Sequence, residues 1–297
     1  MMKKGLLIGA GVAGGFLLLF GGSLLVMSLL LEDGSSLGSG SAVGVVEVKG
    51  IILDSQETIR HLRECGKSGR VKAVVLRIDS PGGVVAPSQE IYEEVKKLAA
   101  KKKVVVSMGS LAASGGYYIA APASMIYANP GTITGSIGVI IKLSNLQELM
   151  DKLGVKVTTI KTGTYKDVGS VSRPVTEEDR ALLQGVIDSS FSQFVKAVAQ
   201  GRKLPEEQVR LLADGRIFTG EQALALKLVD RLGNLQDALD EAGRLGGIEG
   251  EPPLFRPKKE RKLLDMLVEE TASRISGMVR RQGFSLNYEL DAVQPGR

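Results

Sequence analysis

Histidine and cysteine are almost absent from this sequence, and tryptophan is missing altogether. The 297 residues include one histidine, His61, and one cysteine, Cys65. A single cysteine excludes an internal disulfide, and with one histidine it also excludes a zinc site rich in these residues. The two residues are four positions apart, as on one face of a helix. We interpret them as a surface histidine and a half-buried cysteine, and we expect neither a metal nor a cofactor.

The scarcity of histidine also restricts serine catalysis. A Ser-His-Asp triad in this chain would have to use His61. Any other nucleophilic serine needs a different base, and lysine is the usual substitute.

Nucleic-acid binding lacks its usual signals as well. Aromatic residues make up 4% of the chain, and the net charge of +5 is spread along it in short basic clusters. No stretch interleaves basic with aromatic residues, and no nucleic-acid-binding motif is present. We therefore expect no nucleic-acid partner.

A long apolar stretch at the N-terminus predicts a membrane anchor. The uncharged run from Gly5 to Leu31 exceeds the ~20 residues that a helix needs to cross a bilayer. It is also longer than the apolar region of a cleaved signal peptide. Lysines precede this run and acidic residues follow it, so the positive-inside rule leaves the N-terminus in the cytoplasm. We predict a cytoplasmic stub and single transmembrane helix in residues 1–33, a flexible Gly/Ser linker in 34–42, and the rest of the chain outside the cytoplasmic membrane.

Strand and helix patterns alternate through residues 43–245. Apolar β-branched runs such as Val71–Asp79 are typical of buried parallel strands, and helical spacing follows most of them. This alternation predicts an α/β domain with a mostly parallel sheet. The predicted strands are Ala42–Ile52, Val71–Asp79, Lys103–Gly109, Ser124–Pro130, Gly135–Ile141 and Val155–Gly163. The predicted helices are Ser55–Cys65, Pro87–Ala100, one from near Ser114, Glu177–Gln200, Glu206–Ala213 and Glu221–Lys227.

The pattern changes in residues 246–297, which predict a linker, a basic amphipathic helix and a mobile tail. The helical pattern runs from Lys262 to Gln282, with apolar residues on one side. Such a helix packs on the domain or on a neighbouring subunit, or it lies on a membrane surface. The sequence leaves both alternatives open.

Two glycine-rich turns each follow a predicted buried strand. The first is DSPGG (Asp79–Gly83), and the second is AASGG (Ala112–Gly116). Parallel strands bring their carboxyl ends side by side, where ligands usually bind. The N–H groups of Gly83 and Gly115 could then flank a carbonyl oxygen attacked by Ser114, and small neighbours would let a peptide backbone approach. Taken alone, Ser114 could equally cap a helix, and DSPGG could be an ordinary turn.

A candidate base follows a further predicted strand. The stretch KTGTYKDVGS contains Lys166. A lysine can deprotonate a serine only when its pKa falls well below about 10.4, which burial can achieve. In a polar loop, a solvated surface charge is the alternative interpretation.

Five motifs resemble the signal peptide peptidase A family in its short, membrane-anchored bacterial form. They span roughly Val43–Asp240 in matching order: IDSPGG, MGSLAASGGYYIA, TITGSIGVI, TGTYKDVGSVSRPVTEEDR and DGRIFTGEQALALKLVDRLGNLQDAL. The resemblance implies a Ser-Lys protease on a crotonase/Clp-protease-like fold. By position, it implies that Ser114 is the nucleophile and Lys166 the general base. It also implies that Gly83 and Gly115 form the oxyanion hole and that Ser136 orients the lysine amine.

The same resemblance implies a membrane-anchored serine endopeptidase that degrades cleaved signal peptides and similar apolar peptides. It further implies a ring-shaped homo-oligomer in which subunit contacts help to complete each site, so that the dyad need not lie within one chain. Two alternatives remain. One is a crotonase-type acyl-CoA enzyme, against which the membrane span and the Ser-Lys pair argue. The other is a catalytically silent membrane scaffold.

Overall fold

The computed structural model describes residues 40–258 and the backbone of residues 287–289. The predicted membrane helix, most of the linker and the predicted amphipathic helix lie outside these residues. Within the described part, no helix combines the length and apolar character needed to cross a membrane.

Ten strands and eight helices make up the described part of the chain. The strands are β1 (Ala42–Lys49), β2 (Val71–Ser80), β3 (Gly82–Val84), β4 (Lys103–Ala113), β5 (Met125–Ala128), β6 (Ile133–Gly135), β7 (Ile217–Thr219), β8 (Arg231–Leu232), β9 (Leu254–Phe255) and β10 (Asn287–Glu289). The helices are α1 (Gln56–Lys67), α2 (Val85–Ala99), α3 (Gly115–Ala120), α4 (Gln147–Lys152), α5 (Glu177–Arg202), α6 (Glu206–Leu212), α7 (Gly220–Ala225) and α8 (Leu235–Leu245).

The main sheet is mostly parallel, which confirms the predicted α/β class. Its order is β7-β6-β4-β2-β1-β9, and β5 pairs with both β4 and β8. The central register aligns Val45 with Val75 and Val75 with Val105, all in parallel pairs. Within this sheet, β6 and β7 pair antiparallel. A separate two-stranded antiparallel sheet joins β3 to β10.

Helices cover both faces of the sheet. Successive side chains of each strand point to opposite faces, so an uninterrupted apolar strand gives both faces apolar residues that need to be buried. Val74 and Leu76 face the larger core, where Ile91 and Phe194 are also buried. Their neighbour Val75 faces the smaller core formed with α8, which includes Ala238, Leu239 and Ala242. Burying each large aliphatic side chain contributes about 1.5–3 kcal/mol, so this double coverage favours the uninterrupted apolar runs seen in the sequence.

Two of the predicted strands are wrong: one does not form, and the other lies at different residues. Val155–Gly163 forms no strand, and its residues are exposed, Ile160 by 97%. The alternating apolar residues there have no neighbouring strand in the described part of the chain with which to pair. The strand predicted at Gly135–Ile141 lies earlier, at β6, where it pairs with β4 and β7.

The prediction for the residues after 245 also missed two short strands. β9 lies within the predicted linker and adds to the edge of the sheet beside β1. The tail expected to be mobile contains β10, which pairs with β3. Local sequence did not reveal these strands, because each is only two or three residues long and depends on a distant partner.

The lone histidine is buried, contrary to the prediction of a surface position. His61 is 7% exposed, and Cys65 is completely buried. Burial, as the main cause, raises the pKa of the Cys65 thiol to about 12, so the residue behaves as part of the core. The Nε2 atom of His61 is buried without a hydrogen-bond partner among the described residues, 3.8 Å from Glu57 Oε1.

Candidate active site

The two glycine-rich turns meet at the carboxyl ends of β2 and β4. These strands are paired up to Ser80 and Ala112, and the turns follow directly. A methyl group placed on Gly115 would lie 3.2 Å from the backbone nitrogen of Gly83 and 2.7 Å from Ser88 Oγ. The structure therefore brings Gly83 and Gly115 together, and glycine at 115 allows this close approach.

Gly83 is held by the chain segment that follows β1. Ile52 donates its N–H to the Gly82 carbonyl at 2.8 Å, and Val84 donates to the Ile52 carbonyl at 2.8 Å. A Cβ atom on Gly83 would lie 2.1 Å from the Ile52 oxygen. This separation is far below any van der Waals contact, so glycine is required for β3 to lie here.

Ser114 occupies a strained turn between β4 and α3. Its backbone has φ 53° and ψ −118°, a region that residues other than glycine rarely adopt. A serine on a strained strand-to-helix turn is also how the α/β-hydrolases present their nucleophile. The residue occupies the N-cap position, but its side chain forms no capping hydrogen bond. The prediction that Ser114 lies at the start of a helix is therefore correct. Its hydroxyl does not cap that helix, however, because it forms no hydrogen bond with the helix backbone.

Helix α3 fixes this turn in the core. All six of its residues are buried, and the Tyr117 hydroxyl donates to the Leu228 carbonyl at 2.9 Å. Burial, as the main cause, raises the pKa of Tyr117 above its ordinary value, which keeps the phenol neutral. The ring of Tyr118 packs edge-on against Phe194 of α5, with 4.9 Å between centroids. A buried helix of this kind can hold a strained residue at its start.

Ser136 is linked to Ser114 through Gly135. The Ser114 N–H donates to the Gly135 carbonyl at 2.8 Å, and the Ser136 N–H donates to the Arg216 carbonyl at 2.8 Å. Ser136 also has a positive φ of 48°. It lines a cavity of about 440 Å³ whose wall includes Phe191 of α5. The structure therefore places Ser136 next to the turn that carries Ser114.

Lys166 is not joined to these residues by any hydrogen bond in the described part of the chain. It lies in an exposed turn, in which its backbone N–H donates to the Gly163 carbonyl at 3.3 Å. Across residues 40–258 its amine forms neither an ion pair nor a hydrogen bond. Ser114, by contrast, is 1% exposed. One chain thus assembles Ser114, Gly83, Gly115 and Ser136 and leaves the predicted base in solvent.

A cluster of charged residues beside Lys166 was missed by the sequence analysis. Arg173 donates to Asp167 and to Asp179, and Lys161 donates to Asp167. The Arg173 hydrogen bonds are the main cause that lowers the pKa of both carboxyls, and Lys161 adds to the effect on Asp167. One signal was available, because Thr176 and Asp179 have the spacing of a helix capping box. The structure contains that capping box at the start of α5.

An extended segment of the chain already lies against β3. Asn287–Glu289 pairs antiparallel with Gly82–Val84, so that Tyr288 is opposite Gly83. Edge strands bind extended peptides by the same backbone pairing. The strand next to Ser114 can therefore accept a peptide backbone.

The described residues contain no cluster of metal-binding side chains. Nowhere in residues 40–258 do three or more His, Cys, Asp or Glu side chains group closely enough to hold a metal ion. His61 lines a separate cavity of about 500 Å³ beside β1 and α1.

Two family models match this chain. The model described as "Peptidase family S49" matches residues 96–249, which include Ser114, Ser136 and Lys166. The model described as "Clp protease" matches residues 54–132, the part of the domain that contains both glycine-rich turns.

Three similar proteins also carry the names of proteases or peptidases. A putative protease of Synechocystis sp. is 48% identical over 205 residues, 69% of this chain and 74% of the relative. A putative protease of Methanocaldococcus jannaschii is 43% identical over 66% of this chain, and the match spans 63% of that relative. The putative signal peptide peptidase SppA of Enterococcus faecium is 35% identical over 87% of this chain and 74% of the relative.

Proposed function

The chain belongs to peptidase family S49 and is a serine peptidase; on this premise we propose that it is a membrane-anchored endopeptidase with a Ser114–Lys166 dyad. Its substrates would be cleaved signal peptides and similar apolar peptides outside the cytoplasmic membrane. One observation carries the proposal. Ser114 lies on a strained turn beside Gly83, whose own strand pairs with an extended segment of the chain.

The proposed reaction is acyl transfer to Ser114. The hydroxyl attacks a peptide carbonyl while the Lys166 amine takes its proton, and the N–H groups of Gly83 and Gly115 bind the oxyanion. Lys166 then protonates the leaving amine and activates the water that releases the acyl-enzyme. Each oxyanion donor contributes about 2.7–4 kcal/mol of transition-state stabilisation in enzymes of this type. Ser136 would accept or donate a hydrogen bond that orients the amine.

The exposed position of Lys166 leads us to propose that a ring-shaped homo-oligomer completes the site. The segment before it carries several exposed apolar side chains, namely Leu149, Leu153, Val155, Val157 and Ile160. Monomeric proteins rarely expose contiguous apolar patches of large area. A second copy packed on this segment would exclude water from Lys166, and burial favours the uncharged amine that a general base requires.

The proposed location and substrate rest on the N-terminal sequence. The apolar run Gly5–Leu31, with lysines before it and acids after it, supports an anchor that leaves the catalytic domain outside the cytoplasmic membrane. Apolar peptides released by secretion would be the substrates within reach there.

The test is hydrolysis of a quenched apolar peptide by the full chain in detergent. We expect Ser114→Ala and Lys166→Ala each to reduce kcat/KM by at least about 10³-fold. Lys196→Ala, which removes an exposed lysine from α5, is the matched control and should keep wild-type activity. Light scattering would establish that each variant assembles as the wild type does. Near-normal hydrolysis by Lys166→Ala would overturn the assignment of the base.

A further inference from the structure

Asp167 directly follows Lys166, and both of its carboxylate oxygens accept hydrogen bonds from positively charged side chains. Lys161 Nζ donates to Oδ1 at 2.6 Å, and Arg173 Nη2 donates to the same oxygen at 2.9 Å. Arg173 Nε donates to Oδ2 at 3.0 Å. The two N–H groups of Arg173 thus bind the carboxylate in the forked geometry that makes such pairs strong.

Arg173 also joins this loop to the start of α5. Its Nη1 atom donates to Asp179, and the same atom donates to the Pro174 carbonyl at 3.0 Å. The Asp179 side chain is only 3% exposed and accepts the Thr176 N–H at 3.1 Å. One guanidinium therefore bridges the loop that carries Lys166 and a helix whose apolar face is part of the main core.

An unneutralised Asp167 would interfere with a neighbouring general base. A carboxylate within about 4–6 Å of an amine favours the protonated, cationic form of that amine. A protonated lysine cannot accept the serine proton. The carboxylate of Asp167 already forms ion pairs with Arg173 and Lys161, so it is not available to the amine of Lys166.

We propose that Arg173 is a positioning residue for Lys166, holding the loop on α5 and keeping Asp167 from forming an ion pair with the Lys166 amine. This inference rests on the proposed function, in which Lys166 is the base. The charged groups of the cluster are Lys161, Asp167 and Arg173 from the loop and Asp179 from α5. Glu177 of α5 pairs instead with Arg180 on the exposed side, 3.8 Å away.

The test is the pH dependence of kcat/KM for the quenched peptide, measured on the full chain between about pH 6 and 10.5. In Arg173→Gln, Asp167 loses its main partner and attracts the Lys166 ammonium. We expect the acidic limb to move toward higher pH by about one unit and the rate at neutral pH to fall about tenfold. The double variant Arg173→Gln/Asp167→Asn removes the competing carboxylate, so its acidic limb should return to the wild-type position.

Arg180→Gln is the matched control, because it removes an arginine from the first turn of α5, next to Asp179, and Arg180 forms its ion pair with Glu177 and not with Asp167. Its profile should coincide with that of the wild type. Lys161→Gln removes the second partner of Asp167 and should give a smaller shift in the same direction, which keeps the test available if Arg173→Gln does not fold.

The inference would be overturned by an acidic limb that stays in place in both Arg173→Gln and Lys161→Gln, or by a shift that Asp167→Asn does not reverse. Failure of the underlying function gives a different result, since Lys166→Ala would then remain active. An inactive Lys166→Ala with unshifted profiles would reject the role of Arg173 alone.

Discussion

The two halves of the proposed dyad lie in very different surroundings. Ser114 is buried and directly precedes a buried helix, and it lies beside Gly83 and Gly115, which are so close together that a Cβ on Gly115 would crowd the Gly83 nitrogen. Lys166 lies in an exposed turn, within a segment of exposed apolar residues that has no regular structure for much of its length. The fold of one chain thus pre-organises the proposed nucleophile and the proposed oxyanion site, whereas it leaves the proposed base exposed.

Replacing the nucleophile should separate activity from stability most strongly. Ser114→Gly should abolish peptide hydrolysis, a loss of at least about 10³-fold. It should also raise the melting temperature, because glycine adopts a positive φ without the strain of about 1–3 kcal/mol that serine bears. Activity assays and thermal unfolding would measure the two effects. A lower melting temperature would show that the serine side chain stabilises the turn.

Gly83→Ala should damage the same half of the site through its backbone. The added methyl group would collide with the Ile52 carbonyl, 2.1 Å away, and β3 would have to move. We expect about a 100-fold loss of kcat/KM, together with destabilisation of about 1–3 kcal/mol from overpacking. Gly131→Ala is the matched control, because nothing lies within 4 Å of its added carbon. Equal effects of the two substitutions would contradict this explanation.

A charge in the apolar segment should affect the other half of the site without disturbing the fold. Val157→Asp alters a half-exposed side chain that lies outside the buried cores. We expect unchanged folding of the chain by circular dichroism, a smaller assembly by light scattering and at least a tenfold loss of activity. Leu211→Asp, at an exposed apolar position on α6, should leave the assembly intact. Full assembly of Val157→Asp would remove the support for this contact.

The smallest effect should come from Asp179, which stabilises the junction between loop and helix. Its pKa is lowered in the folded protein, chiefly by the Arg173 hydrogen bond. A lowered pKa gives stability that is present above the unfolded value of about 3.9 and is lost as the pH falls through the folded value. Asp179→Asn should therefore melt below the wild type at pH 7, and the difference should narrow below about pH 4. A gap that stays constant with pH would rule out the ion pair as its source.

Much of the buried half of the site could be predicted from local sequence. Apolar β-branched runs predicted β2 and β4, and the glycine-rich turns after them marked the carboxyl edge where Gly83 and Ser114 lie. These signals are local, because strand preference and glycine turns depend on a few neighbouring residues. The exposed half was predicted less well. The alternation in Val155–Gly163 suggested a strand, yet a strand also needs a partner, and alternation carries no information about one.

The sequence alone determined the α/β class, the alternation of strands and helices, and the small residues around Ser114, since each depends on periodicity or backbone sterics within a short window. Only the tertiary structure decided that Gly115 lies beside Gly83, that His61 is buried, and that Arg173 joins Asp167 to Asp179. Contacts such as Gly115 with Gly83 pair residues far apart in the chain, so they depend on how the whole chain closes its loops and packs its core.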